Sequence, residues 1–209
     1  MAFQLSILIP SIPEREDALG LLETAIDKQR NGLPVELLPN VSPRRTAGGP
    51  NIPTKRNQLY EMATGKYSVQ IDDDDRISTD YVEHVLAACE KGMDCITYDV
   101  MCIESPEVTT RARISTEFDS WYHKGVHTHY GNGEVIDYGE YNYLQAPYYK
   151  VPILTSLCRR VKLNETLNWR EDADFMRRIR PLLQSEVYIP KELYVYYFPV
   201  GQHDPLKRY

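Results

Sequence analysis

Short apolar runs alternate with amphipathic segments through the first hundred residues of the chain. Four of these runs are rich in β-branched residues and predict buried strands at 5–9, 35–38, 67–71 and 95–100, with Pro39 ending the second. Between them, apolar residues recur at the spacing of one helix face, which predicts three helices. The residues that define the helices are Ala18, Leu21, Leu22, Ala25 and Ile26 in the first, a segment from Pro53 to Thr64 in the second, and Val82, Val85, Leu86 and Cys89 in the third.

This alternation of strand and helix is typical of right-handed βαβ units. The sequence therefore predicts an α/β fold with a mostly parallel sheet flanked by helices. In such sheets, ligands bind beyond the carboxyl ends of the strands. The second half is rich in tyrosine and turn residues, with a predicted helix at 171–179 and a predicted strand at 193–198. We expect this half to pack on the first as a second lobe within one domain of residues 1–209.

The composition is that of a water-soluble globular protein, with 42% hydrophobic and 26% charged residues. A formal net charge of −6 argues against broad electrostatic binding to nucleic acid or to anionic lipid. No stretch has the roughly 20 apolar residues of a membrane span, and the first apolar run follows no basic leader. The four cysteines form no CxxC pair. We therefore expect reduced, mostly buried thiols and a cytoplasmic location.

Four consecutive aspartates, Asp72 to Asp75, follow the third predicted strand directly. Adjacent carboxylates repel one another, and we expect a folded site to need a cation before it tolerates them. Carboxylate oxygens suit Mg²⁺ or Mn²⁺, and Mg²⁺ is often held by one or two carboxylates and substrate phosphates. The alternative is a solvated acidic turn, while a calcium loop would need a wider ligand spacing and a closing glutamate. The position after a buried strand favours the metal site.

The surroundings of this run resemble the family-two glycosyltransferases, GT-A enzymes that move a sugar from a nucleotide-sugar donor to an acceptor. Residues 63–67 and 71–75 resemble the family's A-x-G-x-Y turn and the D-x-D-D motif that ends its strand. Residues 54–57 (Thr-Lys-Arg-Asn) resemble its "ARN" segment, and 170–172 (Arg-Glu-Asp) its "ED" motif. The resemblance implies a GT-A fold, with a nucleotide-sugar-binding half at 1–100 and an acceptor-side half at 101–209.

The resemblance also implies roles for the residues of the first half. Asp72 would contact the donor ribose, Asp74 would ligate Mn²⁺ or Mg²⁺, and Asp75 would support the metal site. Lys55 and Arg56 would face the nucleotide, where cations pair with a diphosphate. The alternative for both is a solvated position on the helix surface.

The family's second strand usually ends in an acidic pair that reads the nucleobase, and Asn40 is the polar residue in that place here. The base is therefore open, with UDP the commonest choice. Some GT-A enzymes take a further metal ligand from the C-terminal segment, where His203 lies, although a lone histidine is more often structural. His123, His127 and His129 lack cysteine partners and a standard zinc spacing. We interpret them as surface or acceptor-loop residues.

Asp172 is the predicted general base, because an acceptor hydroxyl that attacks the anomeric carbon must lose a proton to a nearby group. A single in-line displacement would invert the anomeric centre. Glu171 is a second catalytic candidate, and Asp174 lies close in sequence. The alternative is that acidic residues simply stabilise the N-terminus of a helix.

Residues 9–15 (Ile-Pro-Ser-Ile-Pro-Glu-Arg), together with 55–57, also resemble small glycosyltransferases encoded by bacteriophages. That resemblance adds a hydroxymethylated DNA base to the family's usual saccharide acceptors. Two other functions stay open: a nucleotidyltransferase that makes nucleotide-sugars, and a non-catalytic sugar- or metal-binding module. The first usually carries a Gly-rich basic loop after its first strand, which 11–15 does not match, and the second would bind a donor without turnover. Nothing in the sequence indicates a protein partner.

Overall fold

The computed structural model describes residues 2–43, 48–125, 136–167 and 169–198. Helices flank a mixed sheet in this part of the chain. Its helices are α1 (Glu16–Arg30), α2 (Ile52–Met62), α3 (Tyr81–Cys89), α4 (Thr155–Val161) and α5 (Glu171–Ile179). Its strands are β1 (Leu5–Ser11), β2 (Val35–Val41), β3 (Tyr67–Gln70), β4 (Arg76–Ile77), β5 (Cys95–Ser105), β6 (Val108–Ile114), β7 (Trp121–His123), β8 (Tyr143–Gln145), β9 (Ile153–Leu154) and β10 (Glu186–Tyr197).

The sheet runs in the order β2-β1-β3-β9-β5-β6-β8-β7, and β10 pairs with β4 and β5. Strand β1 pairs in parallel with β2 and β3, and β5 pairs in parallel with β10. The short β9 lies antiparallel between β3 and β5, which keeps those two strands in one direction. The predicted strands of the first half therefore share a carboxyl edge, where the aspartate run lies.

Two of the strands are longer than the sequence predicts in ways that the sheet explains. The prediction that Pro39 ends the second strand is wrong, because β2 continues through it to Val41. This strand lies at the edge of the described sheet, where the missing N–H of a proline costs no ladder hydrogen bond. Strand β5 likewise continues to Ser105, since it pairs with β6 and β10 beyond the predicted apolar run.

The predicted helices are confirmed, with one correction to the buried face of α1. That face consists of Leu19, Leu22 and Ile26, and Leu21 is exposed. Helix α2 begins one residue before Pro53, and α5 has the predicted bounds.

Apolar side chains from both halves of the chain form one continuous core between the helices and the sheet. Ile7, Val69 and Ile96 contribute to it from the central strands, and all three are fully buried. The four cysteines are buried free thiols, as predicted. Among the described helices, none combines the length and the apolar character that crossing a bilayer requires.

The turn before β3 is held by a buried carboxylate on β2. Glu36 accepts hydrogen bonds from the Ser6 hydroxyl at 2.5 Å and from the backbone amide of Gly65 at 2.9 Å. A Cβ at Gly65 would lie 2.8 Å from the backbone nitrogen of Ser6 and from the carbonyl carbon of Leu5. The turn therefore needs glycine for close approach to β1, which fixes where β3 and the aspartates after it begin.

We expect Gly65→Ala to destabilise the fold by about 1–3 kcal/mol, because the added methyl group must push β1 away. Urea unfolding followed by circular dichroism measures the change. Gly20→Ala on α1 is the matched control, since no atom lies within 4 Å of the position that its methyl group would take. Alanine is also the better helix former, by up to about 1 kcal/mol. Equal stability of Gly65→Ala and wild type would contradict the close-approach argument.

Candidate active site

The aspartate run lies where the carboxyl ends of β1 and β3 meet. After β3 ends at Gln70, the chain turns so that the Asp75 amide donates to the Asp72 carbonyl at 3.0 Å. From the end of β1, the Ser11 hydroxyl donates to the Asp73 carboxylate at 2.6 Å. The run therefore occupies the edge at which α/β sheets bind ligands.

Two arginines compensate three of the four carboxylates. Arg15, in the turn after β1, donates to Asp73 at 2.7 Å and to Asp74 at 2.9 Å. Arg56, from α2, donates to Asp72 at 2.6 Å. Protein side chains thus supply compensating charge, which corrects the expectation that the run requires a bound ion to be tolerated.

Lys150 supplies the third cation, and it connects the run to the second half of the chain. Its Nζ lies 2.5 Å from a carboxylate oxygen of Asp75 and 2.9 Å from one of Asp72, and the residue is 5% exposed. The Tyr194 hydroxyl and the Tyr197 amide also donate to Asp75, at 2.5 and 3.1 Å. Burial opposes the charge on Lys150, but the two carboxylates raise its pKa well above the ordinary value. Asp75 is therefore held inside the protein as part of a buried ion pair.

Arg56 is buried in the wall of the site and faces the run. Besides Asp72, its guanidinium donates to the Gln70 side chain at 3.0 Å and lies 4.1 Å from the centre of the Tyr149 ring. Burial alone would raise the pKa of Asp72, but Arg56 and Lys150 lower it well below the ordinary value. Asp72 is consequently a fixed anion whose two oxygens are oriented by two different cations.

Like Arg56, Lys55 does not lie on the solvated surface of its helix. It is buried at the ends of β1 and β2. Its Nζ donates to the carbonyls of Ser11 at 2.9 Å and of Ser42 at 2.5 Å. Asn40, near the end of β2, donates to the Gln58 side chain at 3.0 Å. Lys55 therefore holds the carboxyl ends of β1 and β2 together. Asn40 lies near the same end of β2.

Asp74 differs from its neighbours because its side chain is 52% exposed. Partial burial and the charge of Asp72 raise its pKa above the ordinary value. In the described residues, no group of three or more His, Cys, Asp or Glu side chains could hold a metal ion by itself. A divalent ion shared between Asp74 and the phosphates of a ligand fits these residues, since Mg²⁺ needs only one or two protein carboxylates. His203 lies outside the described residues.

The N-terminus of α5 faces the same region from the other side. A pocket of about 330 Å³ adjoins it, and Lys150 and Asp172 both line that pocket. Burial and the charge of Asp172 raise the pKa of Glu171 above its ordinary value, while Arg56 lowers it. Lys150 pairs with Asp72 and lines this pocket together with Asp172, so it joins the aspartate run to the start of α5.

Sequence reasoning missed Lys150, Arg15 and Tyr194 as members of this site. One feature of the sequence does indicate a special role for Lys150: it is the only charged residue in the apolar stretch 146–154. A lysine in such a stretch is seldom buried unless it is paired. Arg15 and Tyr194 left no comparable signal, since their roles depend on the turn after β1 and on the pairing of β10.

The sequence predicts surface or acceptor-loop positions for three histidines, and the structure describes one of them. His123 lies on β7 and stacks on Tyr143 with 4.7 Å between the ring centres. His127 and His129 lie outside the described residues.

No protein-family model matches the chain, and no curated protein matches it. Its fold is similar to that of the S. aureus protein TarS. The match to a crystal structure of TarS covers 94% of this chain and 37% of the TarS chain, with a TM-score of 0.61 and 15% identity. TarS 1–349 in complex with UDP matches 94% of this chain and 61% of its own, with a TM-score of 0.62 and 15% identity.

TarS 1–349 in complex with UDP-GlcNAc matches 99% of this chain and 62% of its own, with a TM-score of 0.63 and 15% identity. The chain thus spans less than two thirds of the TarS chains that it matches. The shared fold confirms the predicted class, an α/β fold with a mostly parallel sheet flanked by helices.

We expect Lys150→Met to destabilise the fold by about 3–5 kcal/mol, because Asp75 would remain buried without its cation. Lys191→Met is the matched control, since Lys191 pairs with Asp80 at the surface. Exposed pairs contribute about 1 kcal/mol or less. Urea unfolding of both variants gives the comparison.

The double variant Lys150→Met/Asp75→Asn separates charge from packing. It should recover part of the stability that Lys150→Met loses, because the uncompensated carboxylate is gone. If the double variant is less stable than Lys150→Met, the charge-compensation argument is wrong.

Proposed function

We propose that the chain is a glycosyltransferase that moves a sugar from a nucleotide-sugar donor to an acceptor hydroxyl. One observation carries the proposal: Lys150, which pairs with Asp72 and Asp75 after β3, lines the same pocket as Asp172 of α5. The structural likeness to TarS, crystallised with UDP and with UDP-GlcNAc, supports a UDP-sugar as the donor.

On the donor side, Asp72 would accept hydrogen bonds from the ribose hydroxyls. Its partners Arg56 and Lys150 keep it ionised and oriented, so both act as positioning residues for the nucleotide. Asn40 lies beside the end of β2, where the base of the nucleotide would bind. Arg56 would therefore act on the nucleotide indirectly, through Asp72, because its guanidinium already donates to Asp72 and Gln70.

Asp74 would hold Mn²⁺ or Mg²⁺ together with oxygens of the diphosphate. Such an ion supplies Lewis-acid stabilisation of the negative charge that grows on the leaving diphosphate. Asp75 would contribute through the buried pair with Lys150, which fixes the turn that carries Asp74.

On the acceptor side, Asp172 would act as the general base. The acceptor oxygen attacks the anomeric carbon and forms the new C–O bond, while the bond from that carbon to the diphosphate oxygen breaks. The proton of the hydroxyl passes to Asp172, and the bonding electrons leave with UDP. A single displacement of this kind inverts the anomeric centre. Glu171, which precedes Asp172 at the start of α5, would order that end of the helix beside the base.

We expect Asp172→Asn to lower the rate of transfer or donor hydrolysis by about 10²–10⁴-fold, because asparagine cannot take the proton. Donor affinity should change little, since the nucleotide side is built from other residues. UDP release from UDP-GlcNAc and a panel of other nucleotide-sugars gives the rate, and calorimetry gives the affinity.

Asp174→Asn is the matched control for that variant. Asp174 lies on the same helix and pairs with Arg178, so its loss tests the helix without removing the proposed base. Equal rates for Asp172→Asn and wild type would remove Asp172 from the mechanism. Release of pyrophosphate from a nucleoside triphosphate would favour a nucleotidyltransferase, and donor binding without UDP release would favour a binding module.

We expect turnover to require Mn²⁺ or Mg²⁺ and to be lost in Asp74→Asn, with UDP binding no longer strengthened by the ion. The unfolding midpoint should be nearly unchanged, because Asp74 is half exposed. Asp27→Asn is the control, since Asp27 is similarly exposed and pairs with an arginine on α1. Full activity in excess EDTA would contradict the metal assignment.

A further inference from the structure

Arg15 is much more exposed than Arg56 and Lys150, which also pair with the aspartate run. Its side chain is 37% exposed, against 2% for Arg56 and 7% for Lys150. The two buried cations are enclosed by the protein and hold Asp72 and Asp75 in place. Arg15 can therefore move its side chain without opening the core, whereas Arg56 and Lys150 cannot.

Arg15 bridges a buried and an exposed carboxylate through one nitrogen atom. Its Nη1 donates to Asp73 at 2.7 Å and to Asp74 at 2.9 Å. Each terminal nitrogen of a guanidinium carries two hydrogens, so one can be given to each carboxylate. Asp73 is buried and also accepts from the Ser11 hydroxyl at 2.6 Å, so this half of the bridge anchors the arginine. Asp74 is half exposed, where an ion pair contributes little to stability, so the bond to Asp74 can be exchanged.

The turn that carries Arg15 connects β1 to α1 and is held at both ends. The Arg15 amide donates to the Ile12 carbonyl at 3.0 Å, and Lys55 donates to the Ser11 carbonyl at 2.9 Å. In α/β sheets, the turn between the first strand and its helix lies at the edge where ligands bind. The guanidinium can therefore change partners by rotation of its own side chain, while the backbone of the turn stays in place.

Arg76, which follows the aspartate run directly, contacts the run in a different way. Its Nη1 donates to the backbone carbonyl of Asp75 at 2.7 Å and to that of Asp73 at 3.5 Å. Arg76 thus stabilises the backbone of the turn, whereas Arg15 pairs with the carboxylate that we assign to the divalent ion. Arg15 is therefore the arginine whose position depends on whether that ion is bound.

We infer that Arg15 is a ligand of the donor diphosphate, and that it pairs with Asp74 only until a divalent ion does so. The inference rests on the proposed function and adds a residue to its donor site. Two cations beside one carboxylate repel each other, so Arg15 leaves Asp74 when the ion binds there. Arg15 keeps its bond to Asp73 and donates the hydrogen released from Asp74 to a diphosphate oxygen, a partner that suits a guanidinium. Asp74 thus exchanges one cation for another and keeps its charge compensated throughout.

Binding of Mn²⁺ without nucleotide tests the competition at Asp74. We expect Arg15→Gln to bind Mn²⁺ about threefold or more tightly than wild type, because the competing cation is gone. Electron paramagnetic resonance of the free ion gives the dissociation constant. Arg30→Gln is the matched control, since Arg30 is 33% exposed and pairs with Asp27 on α1 at 2.7 Å. This control should bind Mn²⁺ as wild type does.

Binding of UDP in saturating Mn²⁺ tests the contact with the diphosphate. We expect Arg15→Gln to weaken UDP binding by about tenfold or more, because a charge-assisted hydrogen bond is lost. Uridine has no phosphate and should bind equally to the variant and to wild type, which a merely structural role of Arg15 would not give. Calorimetry measures the UDP affinity, and displacement of UDP by uridine measures the uridine affinity. Arg30→Gln again serves as the control.

Arg15→Gln leaves Asp73 buried without this cation, so the unfolding midpoint is measured alongside. If the variant does not fold, Arg15→Gln/Asp73→Asn compared with Asp73→Asn gives the same test without the buried charge. Three results would overturn the inference: no gain in Mn²⁺ affinity, no loss of UDP affinity, or equal losses of UDP and uridine affinity. UDP binding that ignores Arg15 would refute only the role of this arginine. Failure of UDP and of every nucleotide-sugar in the panel to bind the wild-type protein would refute the glycosyltransferase itself.

Discussion

Charge compensation at the carboxyl edge of the sheet is the constraint on which the rest of this site depends. Four consecutive carboxylates follow a fully buried strand, and two of them, Asp73 and Asp75, are themselves buried. Buried anions are stable only when paired and hydrogen-bonded. The cations come from three distant parts of the chain: the turn after β1, helix α2, and the segment before β9. The run is therefore stable in this position only when all three parts are in place.

Helix α2 shows how a short motif can organise such a site from within. Lys55 ties the ends of β1 and β2, Arg56 orients Asp72, and Asn57 donates to the Leu163 carbonyl at 3.0 Å in the segment that leads to α5. Three consecutive residues thus connect the sheet edge, the proposed donor site and the acceptor side. Lys55 and Asn57 hold backbone segments in place and Arg56 holds a carboxylate, so substitution of any one should disturb positions that it does not contact.

Much of this architecture could be predicted from the sequence. Hydrophobic periodicity located β1, β3 and α5 closely, because their buried faces follow the simple strand and helix patterns. The position of the aspartates after a buried strand indicated the edge where the site lies. The partners of the run could not be predicted, because Lys150 reaches Asp75 across 75 residues and only the sheet topology brings them together. The predicted end of the second strand at Pro39 is wrong for the same reason, because the position of a strand at the sheet edge depends on the whole sheet.

In the proposed nucleotide site, Asp72 and the exposed Asp74 bind the donor while Lys150 stays paired inside the protein. A crystal structure with UDP and Mn²⁺ would show this arrangement. We expect ribose oxygens within hydrogen-bond distance of Asp72, the ion between Asp74 and the diphosphate, and an intact pair between Lys150 and Asp75. UDP bound elsewhere, for example in the apolar pocket beside Asp172, or Lys150 released from Asp75 to bind the diphosphate, would contradict it.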